Sequence, residues 1–171
     1  FKIGSGDFFI GLSRKHLAFS GLDIYAHTRD PDSGEFVSPA GGFAFKFTYS
    51  NQNILLEDNA MRFTKGVIVE SSNITGPDST PDCWENFANA EIRRNVFWYS
   101  YAVGSHAGAL YSSGGDDLPP GLCSGSPPKG GRLTLEGNFF YHNGWYDENV
   151  IPGSQATEFS RDVYVTRNWG N

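Results

Sequence analysis

The chain has 171 residues, 39% hydrophobic, 15% aromatic and only 19% charged, which supplies one domain with a core and excludes a disordered tail. A formal charge of −6 argues against a nucleic-acid binder, which needs a basic surface to displace counterions. No apolar run approaches the roughly 18 residues of a membrane span, and Phe1-Lys2-Ile3-Gly4, with neither Met nor a signal pattern, reads as the interior of a longer sequence.

Helices are not expected, because 21 Gly and 9 Pro interrupt every window long enough for a 3.6-residue stripe. What recurs instead is a short frame: apolar, any, apolar, two variable residues, Asn, any, apolar. A degenerate copy at 17–24 carries Leu22 in the Asn position. The strand-like run Phe43-Ala44-Phe45-Lys46-Phe47 follows, then the copy at 54–61 with Asn59 and a second run, Val67-Ile68-Val69. An insertion near 72–88, rich in Pro, Ser and Asp, precedes the copy at 90–97 with Asn95. Next come Ala109-Leu110-Tyr111, a second insertion near 114–131, the copy at 133–140 with Asn138, and a last copy at 163–170 with Asn168. The Asn positions lie 37, 36, 43 and 30 residues apart, counted from Leu22. Several short strands per period are the mark of a β-solenoid, in which each coil buries alternate side chains and stacks on the next at roughly 4.8 Å. The Asn is expected to bend one strand into the next by taking the left-handed conformation, and to bond up a column of amides. The alternative is an antiparallel β-sandwich with fortuitous Asn-ended strands.

Ser105-His106-Ala107-Gly108-Ala109-Leu110-Tyr111-Ser112-Ser113-Gly114, followed by Leu133-Thr134-Leu135-Glu136-Gly137-Asn138-Phe139-Phe140-Tyr141-His142-Asn143-Gly144-Trp145, resembles secreted bacterial right-handed parallel β-helix proteins of the pectate-lyase-like superfamily. The resemblance covers roughly residues 40–171. It implies an all-β fold, a single-stranded right-handed parallel β-helix of about four to five coils, with the two insertions as long loops at one corner. That superfamily holds pectate-lyase-like and alginate-lyase or epimerase-like enzymes as well as phage tailspikes and adhesins. Residues 1–171 are read as one such domain or a segment of a longer one, with further coils or subunits stacked on its ends. The long loops depart from the simplest members, and no complete lyase signature is present.

Each insertion holds one cysteine, Cys83 and Cys123, and a disulfide between them would suit an extracellular protein; two free thiols in a cytosolic protein are the other reading. With Leu133 and Leu135 inward, alternation puts Ser20, Glu57, Arg93, Glu136 and Thr166 in one outward column. It reads either as a surface charge ladder or as a substrate face where Arg93 or Arg94, beside Glu136, meets a uronate carboxylate. Past the Asn turn come Tyr25, Arg62, Trp98 and Tyr141, and beside them Ala26, Phe63, Tyr99 and His142. Rings in these columns, with Trp145, either stack on sugars or fill the core. His142 is the leading catalytic candidate, able to remove the C5 proton of a uronic acid, with His106 nearby and Tyr111 as partner acid. Asp116-Asp117 and Asp147-Glu148 are either solvated loop charge or oxygen donors to calcium, which bridges uronates in some relatives of this fold. No HExxH, CxxC pair, P-loop or G-x-S-x-G occurs. The functional expectation is a secreted β-helix that binds, and cleaves or epimerises, an acidic polysaccharide. The competing expectation is a non-catalytic adhesin, tailspike or scaffold segment.

Overall fold

Aromatic and β-branched runs broken by Gly, Asn and Asp give thirteen short strands and a single 3-10 turn (His27–Arg29) among the described residues. The computed structural model describes residues 1–4, 6–12, 14–48, 51–70, 88–103, 107–113, 132–157 and 160–166. The strands are β1 (Phe9–Leu12), β2 (Lys15–Ser20), β3 (Asp23–Tyr25), β4 (Phe45–Thr48), β5 (Gln52–Glu57), β6 (Ala60–Arg62) and β7 (Val67–Glu70). They continue as β8 (Ala88–Arg93), β9 (Val96–Trp98), β10 (Ala107–Ser113), β11 (Leu133–Glu136), β12 (Phe139–Tyr141) and β13 (Ser160–Thr166). Ala88, expected to close the first insertion, therefore opens β8. His106, Asp116, Asp117, Cys83, Cys123 and Asn168 lie outside the described residues.

Every strand pair is parallel, and the strands fall into three sheets. Sheet 1 has the order β1-β4-β7-β10-β13, sheet 2 β11-β8-β5-β2, and sheet 3 β12-β9-β6-β3. Each circuit adds one strand to each sheet in turn, which is the order of a solenoid and excludes the antiparallel sandwich. The expected strand runs at Phe45, Val67 and Leu110 are successive rungs of sheet 1.

Strict register carries the apolar alternation from coil to coil. Ile54 and Ala90 lie over one another, as do Leu56 and Ile92, and Met61 and Phe97. With Phe45, Phe47, Val67, Val69 and Leu110 from sheet 1 they form the core, all essentially fully buried. Burying one such side chain is worth about 1.5–3 kcal/mol. Leu135 keeps the inward register of Ile92 but is 38% exposed, because β11 is the last described strand of sheet 2.

The corner between sheets 2 and 3 repeats faithfully. Asn59 donates through its backbone N–H and Nδ2 to Asn95 Oδ1, both at 3.0 Å, and Asn95 donates likewise to Asn138 Oδ1 at 3.0 and 3.1 Å. Each Nδ2 also reaches a carbonyl of the neighbouring circuit: Phe19 from Asn59, Leu56 from Asn95, Ile92 from Asn138. In the degenerate copy the Leu22 N–H donates to Asn59 Oδ1 at 3.0 Å. The left-handed residue is not the Asn, however, but the one before it: Gly21 (φ 68°), Asp58 (54°), Arg94 (53°) and Gly137 (60°). The Asn serves the ladder, and its predecessor makes the bend. A second amide column, which the sequence frame does not single out, links Asn89 to Asn53 and Asn53 to His16 where the chain enters sheet 2.

The last copy is not a rung of the same kind. β13 pairs with β10 in sheet 1, Tyr164 against Tyr111 and Thr166 against Ser113, so Thr166 does not extend the Glu57–Arg93–Glu136 column. Where β13 ends at Thr166 the chain is still in sheet 1, so the circuit begun at Asn138 has not yet returned to sheet 2.

Candidate functional site

The outer face of sheet 3 bears the aromatic side chains of Tyr25, Trp98, Phe139 and Tyr141. Each strand has one inward position (Ile24, Met61, Phe97, Phe140) flanked by two outward ones. The expected column Tyr25–Arg62–Trp98–Tyr141 is in register on this face. Trp98 (43% exposed) and Tyr141 (47%) meet edge to face with ring centroids 5.9 Å apart, and Tyr141 stacks with Phe139 at 6.5 Å. The other end of the column is capped by charge: Arg62 is bonded to Asp23 at 2.9 Å and lies over the Tyr25 ring at 4.8 Å.

The chain leaves sheet 3 through another left-handed residue, and here it is aromatic in three successive coils: Phe63 (φ 56°), Tyr99 (52°) and His142 (52°). This conformation costs an ordinary residue about 1–2 kcal/mol. Tyr99 stacks on Phe63 at 5.1 Å and touches His142 at 4.7 Å, and His142 meets Trp145 at 4.3 Å. The next residues, Thr64, Ser100 and Asn143, turn inward: Asn143 Oδ1 accepts the Ser100 N–H at 2.9 Å, and Asn143 Nδ2 reaches the Phe97 carbonyl at 3.1 Å. Gly144 (φ 91°) must be glycine, since a Cβ there would sit 2.8 Å from the Arg161 backbone nitrogen.

Beyond this corner the segment 145–156 folds back and encloses an open cleft of about 640 Å³. Tyr99, His142, Trp145 and Tyr146 are its aromatic walls, Val150 and Ala156 add apolar surface, and Asp147, Glu148 and Gln155 bring polar groups. Tyr146 packs on Tyr99 at 5.8 Å and on Tyr101 at 5.3 Å. Burial first, then the charges of Asp32 and Asp30, push the Tyr146 phenol up, which keeps it a neutral hydrogen-bonding group at neutral pH.

The fully buried Arg29 buttresses this corner from behind. Its guanidinium donates to the carbonyls of Phe63 and Gly41 at 2.7 Å, and to those of Pro39 and Tyr101, while lying over the Tyr101 ring at 4.5 Å. Tyr101 returns a bond to the Arg29 carbonyl. Burial pushes Arg29 down to about 10, so it remains a cation at neutral pH.

Of the expected site residues, the structure brings His142, Trp145, Tyr141 and Trp98 into one aromatic patch. Tyr111 is elsewhere, on the outer face of sheet 1 against Tyr164 at 5.6 Å. Arg93 and Arg94 are at the asparagine corner and engaged there: Arg93 with Glu57 and with Glu91 at 3.1 Å, Arg94 with Glu57 and with Asp58 at 2.9 Å. Glu136 is exposed at the described end of that column. A second groove, about 550 Å³, crosses the outer face of sheet 2 between Asn53, Leu55, Asn89, Glu91, Arg132 and Thr134 and has no aromatic wall. Tyr146 was not legible as a site residue; the available signal was the Trp145-Tyr146 pair directly after His142-Asn143-Gly144. Among the described residues no three His, Cys, Asp or Glu side chains gather as a metal site, and no helix is long and apolar enough to cross a membrane. No known protein family, no curated protein and no solved structure matches the chain.

Proposed function

We propose that this chain is a glycan-binding segment of a right-handed parallel β-helix that works outside the cell, with the cleft at His142 as its sugar site. One observation carries the reading: three coils place an aromatic ring on a left-handed backbone position at the same corner, and two of those rings wall a cleft of about 640 Å³. The same conformation closes a turn at Asp58 and Arg94, but at this corner it also carries rings onto the wall of a cleft. Flat rings with polar edges suit the CH faces and hydroxyls of pyranoses, and the contiguous run from Phe139 through Tyr141 to Trp145 is long enough for more than one sugar ring. Right-handed winding is favoured by the general handedness of parallel crossover connections.

Binding without bond cleavage fits the geometry better than lyase chemistry. Of the described residues put forward for catalysis, His142 lines the cleft, whereas Tyr111 and Arg93 belong to other faces. The test is a titration with neutral, amino and uronate oligosaccharides followed by tryptophan emission. A saturable change is expected with at least one class, weakened about tenfold or more in Trp145→Ala. Silence across all three would overturn the reading and leave the solenoid as a spacer. Unsaturated product from a uronate polymer, lost in His142→Ala, would replace binding by β-elimination.

A further inference from the structure

We propose that the sugar taken by this cleft carries a protonated amino group; the inference rests on the glycan reading of the same site and narrows it. Besides the Tyr99 and Tyr146 phenols and the His142 imidazole, the polar side chains lining the cleft are two carboxylates, Asp147 and Glu148, and one amide, Gln155; no lysine or arginine is among the described lining residues. The cations nearby are engaged in other contacts. Arg29 is enclosed by the carbonyls of Phe63, Pro39, Gly41 and Tyr101 behind the Tyr101 ring. Arg62 is forked on Asp23, and Arg93 and Arg94 are held by Glu57, Glu91 and Asp58 at the opposite corner. Arg161 lies over Tyr164 on sheet 1. Asp32 and Asp30 lie close enough to Tyr146 to hold its phenol up, adding negative potential behind the wall.

This arrangement has two parts that act in the same direction. Tyr99, Trp145 and Tyr146 line the cleft, and an ammonium is attracted to the negative quadrupole of aromatic ring faces. The carboxylates of Asp147 and Glu148 add Coulomb attraction at the rim. A uronate in the same place would set a carboxylate against both, and like charges brought together across a binding site disfavour that partner. Val150 and Ala156 remain for the apolar face of the ring, and Gln155 for a hydroxyl. The site thus discriminates by charge among sugars whose ring faces are alike, which the rings alone do not do.

The experiment compares three oligomers of matched length at about pH 6, where a sugar amine is protonated: glucosamine, N-acetylglucosamine and galacturonate, each titrated calorimetrically into the intact chain. The glucosamine oligomer is expected to bind about tenfold or more tightly than its N-acetylated counterpart, with the preference falling as salt is raised. The double variant Asp147→Asn/Glu148→Gln should collapse that preference to about twofold or less; Asn keeps an oxygen for the Asn149 contacts that Asp147 makes. Glu57→Gln/Asp58→Asn removes the same charge at the opposite corner and should leave the preference intact. Equal affinity for the amine and the acetamide, preference for the uronate, or a preference that survives the double variant would each overturn the amino-sugar assignment while the glycan reading stands. Failure of all three oligomers to bind would overturn both.

Discussion

The two corners that flank sheet 3 are built on one plan and used differently. Each has a left-handed residue followed by a polar side chain that bonds to the next coil. At the asparagine corner the left-handed positions are Gly21, Asp58, Arg94 and Gly137, two of them glycine, and the chain runs straight on into a three-residue strand. Charged side chains there pair along the surface, and little is invested beyond closing the turn. At the aromatic corner the positions are Phe63, Tyr99 and His142, and the chain leaves sheet 3 for connections of unequal length. The asparagine corner therefore serves as a hinge of fixed shape. The aromatic corner accepts local strain in order to present rings at a cleft, and it is braced from behind by Arg29.

Removing the brace should have the largest effect. Arg29→Ala leaves the carbonyls of Phe63, Gly41, Pro39 and Tyr101 without their donor in a site with no exposure, an expected cost of about 4 kcal/mol or more in urea unfolding. Arg29→Lys should recover little, since an ammonium lacks the planar fork that reaches all four. If the aromatic corner held itself without the brace, the loss would be that of a surface arginine.

Asn95→Ala should come next, at about 3 kcal/mol, because it breaks the ladder on both sides and strands the buried Asn59 amide groups. A loss below about 1 kcal/mol would show that the asparagine corner is held by its strands alone. Glycine at the two kinds of left-handed residue gives the sharpest contrast. Arg94→Gly trades exposed ion pairs for a relaxed backbone and should change stability by no more than about 0.5 kcal/mol. Tyr99→Gly relaxes the same angle but forfeits ring contacts with Phe63, His142 and Tyr146, and should cost about 2 kcal/mol along with glycan binding. Similar values for both would erase the distinction between the corners.

The smallest effect is acid dependence at the asparagine corner. Hydrogen bonds from Arg93 hold the Glu57 carboxyl below the usual carboxylate range, and those from Arg94 do the same for Asp58. The folded chain then binds fewer protons here than the unfolded chain as pH falls through the ordinary carboxylate values. The contribution is complete above that range and lost as pH drops through the lowered folded values. The urea midpoint should decline there, and decline less in Glu57→Gln/Asp58→Asn.

Much of the winding was legible because a solenoid writes one local rule several times. Asn59, Asn95 and Asn138 in a constant frame, with apolar residues at fixed offsets, gave the rungs, the inward faces and the in-register columns that the structure contains. The same frame misled at 163–170, since a short apolar alternation ending in Asn looks alike whichever sheet it joins. It also credited the Asn with a bend that its neighbour makes: Gly21 and Gly137 mark the position in two copies, but a left-handed Asp58 or Arg94 leaves no mark in composition.

Alternation by itself determined which side chains face in and which face out, because the two-residue period of a strand is a local property of the backbone. Within a sheet, register then set outward neighbours such as Glu57 and Arg93 one above the other, but tertiary structure alone decided which outward groups of different elements meet. Whether Tyr111 shares a face with His142, and how 145–156 folds over Tyr99, depend on the loops between strands. Loop geometry is set by contacts distant in sequence, such as Arg29 against Tyr101, and no repeat of a local rule encodes those.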